Sequence, residues 1–214
     1  IMSSDWSSDV CSSDLVRIAL AHKGLDYRYV PVHLLRDGGE QLQPEHAAIN
    51  PMKQVPVLLD GERAIGQSMA IIEYLEQIHP EPTLLPGDAG TRARARQLAE
   101  IINSGIQPLQ NLRVMKTLGG DYGLDEAAVK GWCRRWIASG LEAFESLAAR
   151  WSGSCCVGDA VSVADAFVVP QLYNARRFEL DLSPYPTILR VERALSALPA
   201  FIASHPDNQP DAPP

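Results

Sequence analysis

Several short stretches of the sequence hold residues suited to gripping an extended, acidic, peptide-like molecule. Val55-Pro56 stands just before the apolar run Val57-Leu58-Leu59. An X-Pro bond at that place is a candidate cis bond. A cis bond would turn the Val55 N–H and C=O outward, free to pair with a ligand as an added strand. The competing reading is an ordinary trans proline entering an edge strand. Gln67-Ser68 opens the amphipathic run MAIIEYLEQIHP. Free N–H groups, the helix dipole and a hydroxyl favour a carboxylate there; a plain N-cap serine is the alternative. Gln107, Gln110 and Asn111 lie in an apolar stretch. Positions 107 and 111 are spaced i, i+4 and would share one helix face. Inward amides suit polar ligand contacts, and partial exposure is the other reading.

The elements that must position these residues follow from pattern. Residues 16–23 read as a short helix closed by Gly24. Tyr27-Arg28-Tyr29-Val30 is β-rich and stops at Pro31. Residues 36–51 mix turn signals with one short helical piece. Val55–Leu59 is a strand, Asp60-Gly61 a hairpin turn, and Arg63-Ala64-Ile65 the return. A helix from Ser68 stops at His79-Pro80. Residues 81–90 (EPTLLPGDAG) form a linker. Beyond it come a long helical run over 91–117, bent at Gly105 and Pro108, and a second over 125–150. A third helix opens at Ser162-Val163-Ala164-Asp165, a capping-box variant. One or two short helices lie in 186–204. The division is a mixed α/β domain over 16–80, an all-helical domain over 91–204 and an extended Pro-rich tail over 205–214.

Bulk properties narrow the function. The 214 residues are 46% hydrophobic and 21% charged, which is globular. A net charge of −7 disfavours non-specific binding to nucleic acid or anionic membranes. Cysteines at 11, 133, 155 and 156 show neither CxxC nor metal spacing. A reduced, cytoplasmic protein without a structural metal is expected.

Taken together, VRIALAHKGLDY, RDGGEQ, NPMKQVPVL, QSMAIIEYLE, LLPGD, GIQPLQNL, CVGD with SVAD, and NARRF followed by PYPT resemble the zeta-class glutathione transferases. That group includes maleylacetoacetate and maleylpyruvate isomerases of aromatic catabolism, and the likeness spans residues 16–211. The resemblance implies a thioredoxin-like α/β N-terminal domain, an all-α C-terminal domain and a homodimer. It implies glutathione as cofactor, held by Gln41, Val55, Gln67, Ser68, Gln107 and Asn111. Val55 would pair with the cysteinyl backbone, and Gln67 and Ser68 would hold the γ-glutamyl carboxylate. Arg177, with Arg176, would face an acidic substrate, although a solvated helix face is the other reading of that pair. The implied activity is glutathione-dependent cis–trans isomerisation of maleylacetoacetate-type keto-acids. The alternatives are a general glutathione transferase or dehalogenase, or a glutathione-binding protein with little turnover.

That last alternative comes from the head. Ser-Ser-Asp repeats at residues 3–5, 7–9 and 12–14. The resembling family carries a central apolar first strand here, ending in Arg-Ser-Ser-Cys or Arg-Ser-Ser-Ala. In register, the two serines of that motif fall on Val10 and Cys11, and its Cys/Ala on Ser12. Cys11, Ser12 and Ser13 are stand-in candidates for the catalytic thiolate partners. The stretch MSSDWSSDV has poor β-propensity for an interior strand. Residues 1–15 therefore read as a non-native head joined to the gene near codon 16, with a disordered native tail as the rival. The first strand is corrupted or missing.

Overall fold

The computed structural model describes the backbone of residues 10–210 and the side chains of residues 12–210. Most of the suspected head, including the Cys11 side chain, lies outside the described residues.

The N-terminal part begins with α1 (Val10–His22). It continues through short 3₁₀ turns at Arg36–Gly38 and Glu40–Leu42 into α2 (Pro44–Ile49). The hairpin β1 (Val57–Asp60) and β2 (Arg63–Gly66) follows, then α3 (Ser68–Ile78). Helix α1 starts earlier than the pattern over 16–23 suggests. Asp14 pairs with Arg17 one turn on, and Leu15 is fully buried in the core, so this turn has both an ion pair and an apolar anchor. The hairpin turn is Gly61-Glu62 rather than Asp60-Gly61, because Asp60 pairs with Arg63 across the ladder and Gly61 takes the positive φ of +58°.

Tyr27–Val30 is not a strand. Strand propensity is realised only against a neighbouring ladder. Among the described residues the sheet consists of β1 and β2 alone, and this segment has no ladder partner in it. Tyr27 and Val30 stay exposed, while Tyr29 receives the Arg17 guanidinium over its ring.

The helical part comprises α4 (Ala89–Glu100), a π-helical turn (Ile101–Ile106), α5 (Gln107–Gln110) and α6 (Leu112–Gly120). Helices α7 (Glu126–Trp151), α8 (Val163–Arg177), α9 (Pro186–Leu195) and α10 (Pro199–Ser204) complete it. The run expected over 91–117 is thus divided twice. Its π turn contains Gly105, and its second break is Asn111, extended at ψ 146° and capping α6 with its own side chain. Gly140 of α7 lies under the π turn; a Cβ there would fall 2.3 Å from Ile106 Cγ1, so a larger residue would force that side chain to move. The capping box at α8 is formed as expected: Ser162 N–H and Oγ both donate to Asp165 Oδ2 at 2.8 Å. Asp165 Oδ1 also accepts the Cys156 N–H at 2.8 Å. The tail is not simply extended, since Pro206–Asn208 form a 3₁₀ turn. No helix among the described residues is long and apolar enough to cross a membrane.

A polar junction locks the two parts. Lys23, buried at the end of α1, donates to the carbonyls of His79 at 2.7 Å and Pro82 at 3.0 Å. Its ammonium also lies 2.6 Å from Glu76 Oε1. Glu76 in turn accepts from Thr83 Oγ1 at 2.5 Å and from the Leu84 N–H at 2.8 Å. The Leu84 carbonyl accepts from Val163 N–H at 2.7 Å, carrying the linkage to the start of α8.

Candidate active site

The first turns of α1 and α3 meet. Ser68 Oγ donates to the Ser12 carbonyl at 3.2 Å, linking positions 56 residues apart. Ser68 is buried and is the first residue of α3; the N-cap is Gln67, not Ser68 as the sequence suggests. No side chain among the described residues caps α3. Its leading N–H groups have no partner within the helix, and its dipole presents positive charge at that end. Gln67 holds φ +69° and ψ 116°, a conformation that costs a non-glycine residue of order 1 kcal/mol or more. Ser12 and Ser13, part-exposed in the first turn of α1, lie at this junction.

The Val55–Pro56 bond is cis, as its place before the hairpin suggests. The loop ahead of it is fixed by residues whose function the sequence did not reveal. Asn50 Nδ2 donates to the Gln54 carbonyl at 2.8 Å, His46 Nε2 lies 3.0 Å from the same oxygen, and Asn50 Oδ1 accepts the Met52 N–H at 3.1 Å. Side chains that imitate backbone hydrogen bonds are how Asn shapes such loops. Gln41 is buried; its Nε2 reaches the Leu34 carbonyl at 3.4 Å, and its Oε1 has no partner among the described residues. Gly39 lies against it at φ +116°, where a Cβ would come within 2.8 Å of both amide heteroatoms and 2.9 Å of the Leu34 carbonyl. Only glycine leaves Gln41 its place. Such an unpaired buried acceptor costs about 1–3 kcal/mol, which a ligand donor would recover. Glutathione fits these features: a carboxylate for the α3 amides, peptide groups for Val55, and donors for Gln41.

Gln107 and Asn111 are both half-buried but do not share a helical face, because the chain breaks at Asn111. Asn111 Oδ1 accepts from Arg113 N–H at 3.0 Å. Gln110 points elsewhere, into a reciprocal amide pair with Gln171 in the core, at 3.0 and 3.3 Å. Arg176 is committed to a bidentate pair with Glu192 of α9, at 2.5 and 2.6 Å. It braces two helices, and its planar fork is filled. Arg177 alone of the expected arginine pair is left as the candidate for an acidic substrate.

The described cysteines are not nucleophiles. Cys133, Cys155 and Cys156 are buried. Burial pushes the Cys133 and Cys155 thiols up to about 11 and Cys156 well above its ordinary value. Among the described residues, then, no thiol is set up for thiolate chemistry at neutral pH.

The helix N-terminus of α3 beside the α1 start, a hairpin entered through Val55-Pro56 and a following helical bundle agree with the resemblance to glutathione transferases. The family model for the glutathione S-transferase N-terminal domain matches residues 7–83. The maleylacetoacetate isomerase of Rattus norvegicus is 50% identical over 198 residues, 92% of this chain and 89% of that one. The holo structure of maleyl pyruvate isomerase, a bacterial zeta-class glutathione S-transferase, superposes with a TM-score of 0.91 at 43% identity, covering 95% of this chain and 96% of that one. A maleylacetoacetate isomerase from Anaeromyxobacter dehalogenans with glutathione bound in its active site gives 0.84 at 51% identity, with 95% and 94% covered. The chain belongs to the maleylacetoacetate isomerase family of zeta-class glutathione transferases.

Ser68→Ala is expected to weaken glutathione binding by roughly 1–3 kcal/mol, the loss of a charge-assisted hydrogen bond. Titration calorimetry measures it, with thermal melting of the free chain alongside, because the single Ser68 hydroxyl proton goes to the Ser12 carbonyl until a carboxylate takes its place. Unchanged affinity in a stable variant removes Ser68 from the site.

Proposed function

We propose that this chain is a glutathione-dependent cis–trans isomerase of maleylacetoacetate-type keto-acids. The observation that carries the reading is the meeting of the α1 and α3 N-termini at the Ser68–Ser12 contact. Two positive dipole ends converge there, suited to one carboxylate and one thiolate on the same molecule. When bound, glutathione supplies a thiolate that adds reversibly to the cis double bond, so that rotation and elimination give the trans acid.

The chain's own residues bind, orient and balance charge. Gln67 and Ser68 hold the γ-glutamyl carboxylate, Val55 pairs with the cysteinyl backbone, and Gln41, Gln107 and Asn111 complete the cradle. The α1 dipole, with Ser12, Ser13 and Cys11 as stand-in donors, lowers the thiol pKa below its ordinary ~8.5. Arg177 attracts the substrate carboxylate and the negative charge that develops as the thiolate adds. Residues 16–80 serve as the glutathione-binding domain, 81–90 as the linker and 91–204 as the substrate wall. The protein acts in the cytoplasm as a homodimer, which sedimentation at twice the monomer mass would support. Parallel assays on maleylacetoacetate and on halogenated electrophiles test the assignment: the maleyl acid should be turned over far faster. Faster conjugation or dehalogenation would move the chain to general transferase chemistry.

A further inference from the structure

The last described segment of the chain is tied to α8 at Tyr173, one helical turn from the candidate substrate arginine. Helix α10 packs along α1. Beyond it, Asn208 Nδ2 donates to the Ile202 carbonyl at 2.7 Å, and Gln209 Nε2 donates to the carbonyls of Ala203 and His205 at 2.9 Å. These bonds satisfy carbonyls that the end of a helix leaves open, and they fold the strap back on its own helix. The His205 ring stands edge-on to Tyr173, with centroids 5.4 Å apart, and its Nδ1 accepts the Asp207 N–H at 3.3 Å. Tyr173 Oη donates to Asp207 Oδ1 at 3.1 Å. Tyr173 and Arg177 are one helical turn apart on α8 and so neighbours on its surface. Burial first, and then the Asp207 bond, raise the Tyr173 hydroxyl above its ordinary value. The charges of Arg177 and of Asp14 in α1 also act on that hydroxyl, so strap, substrate helix and α1 converge on it.

We propose that residues 203–210 are a positioning strap: Asp207 and His205 hold Tyr173, and with it the α8 turn that carries Arg177, against α1. The strap sets the affinity for the acidic substrate and leaves glutathione binding alone. The inference rests on the reading of Arg177 as the substrate's carboxylate partner.

The test uses malonate, an unreactive dicarboxylate, titrated into the full chain at saturating glutathione. Asp207→Ala and Tyr173→Phe should each weaken malonate about fivefold, the worth of one hydrogen bond. Glutathione affinity should stay within about twofold. Asp207→Asn keeps an acceptor and should restore most of the malonate affinity. Equal losses for malonate and glutathione, no loss for either, or no malonate binding by the unmodified chain would overturn the proposal. Arg177→Ala separates the two layers: if it leaves malonate binding intact while Asp207→Ala weakens it, the reading of Arg177 fails and the strap acts by another route. Turnover of maleylacetoacetate by the unmodified chain tests the isomerase reading independently.

Discussion

Lys23→Met should destabilise the folded chain by about 3 kcal/mol or more, the scale for removing one partner of a buried ion pair. The methionine fills the space of the lysine stem, so packing is kept and the charge is lost. Three acceptors then lose their donor: the carbonyls of His79 and Pro82 and the Glu76 carboxylate. At ~2–4 °C per kcal/mol for a chain of this size, the melting temperature should fall by roughly 10 °C. The penalty also depends on pH. Burial pushes the Glu76 carboxyl up, but the Leu84 N–H, the Lys23 ammonium and the Thr83 hydroxyl more than offset this and hold it below its ordinary value of 4.5. A depressed carboxylate contributes its full stability above the unfolded pKa and loses it as pH falls through the folded one. The difference between Lys23→Met and the unmodified chain should therefore shrink below pH 4.5. A penalty that stays constant down to pH 3 would mean that Lys23 acts through its carbonyl partners alone.

Replacing residues 1–11 with an apolar strand ending in Arg-Ser-Ser should raise both stability and turnover. Among the described residues β1 is paired on one edge only, by β2, and Tyr27–Val30 has no ladder. Val30 and Leu59 are 58% and 61% exposed, which leaves β-forming apolar side chains in water. Each buried backbone group left unpaired costs about 1–3 kcal/mol. Each ladder bond that the added strand forms to a buried backbone group would therefore count against a typical total of ~5–15 kcal/mol. The replacement should raise the melting temperature on the order of 10 °C. It should also slow hydrogen exchange at residues 27–30 and restore the serine pair in register at the start of α1. Should the unmodified chain match the repaired one in stability and in activity, the head is functional and not foreign.

Local chemistry was legible in the sequence, and long-range chemistry was not. The Ser162–Asp165 cap, the Val57–Gly66 hairpin and the α7 boundaries depend on neighbours a few residues away, and each formed close to where its pattern lies. Tyr27–Val30 has the composition of a strand, but a strand is made by its partner. Arg176 looked like half of a substrate clamp because Glu192, 16 residues on, is not visible as its partner in a linear reading. Nothing near Lys23 in the sequence points to its burial, which is decided by the carbonyls of His79 and Pro82 more than fifty residues away. Gln41 came only from resemblance, and Gly39 beside it shows why: its signal is a positive φ and a missing Cβ. The start of α3 at Ser68 was readable too, though its capping residue is Gln67.

The central claim is that this chain isomerises a maleyl keto-acid and needs glutathione to do so without consuming it. Proton NMR of maleylacetoacetate with the purified chain, with and without glutathione, tests it most directly. The account predicts that the trans vinyl signals grow only when glutathione is present, while the glutathione signals stay constant in intensity through many turnovers. Trans product formed equally without glutathione, or glutathione consumed one for one into an adduct, would contradict it.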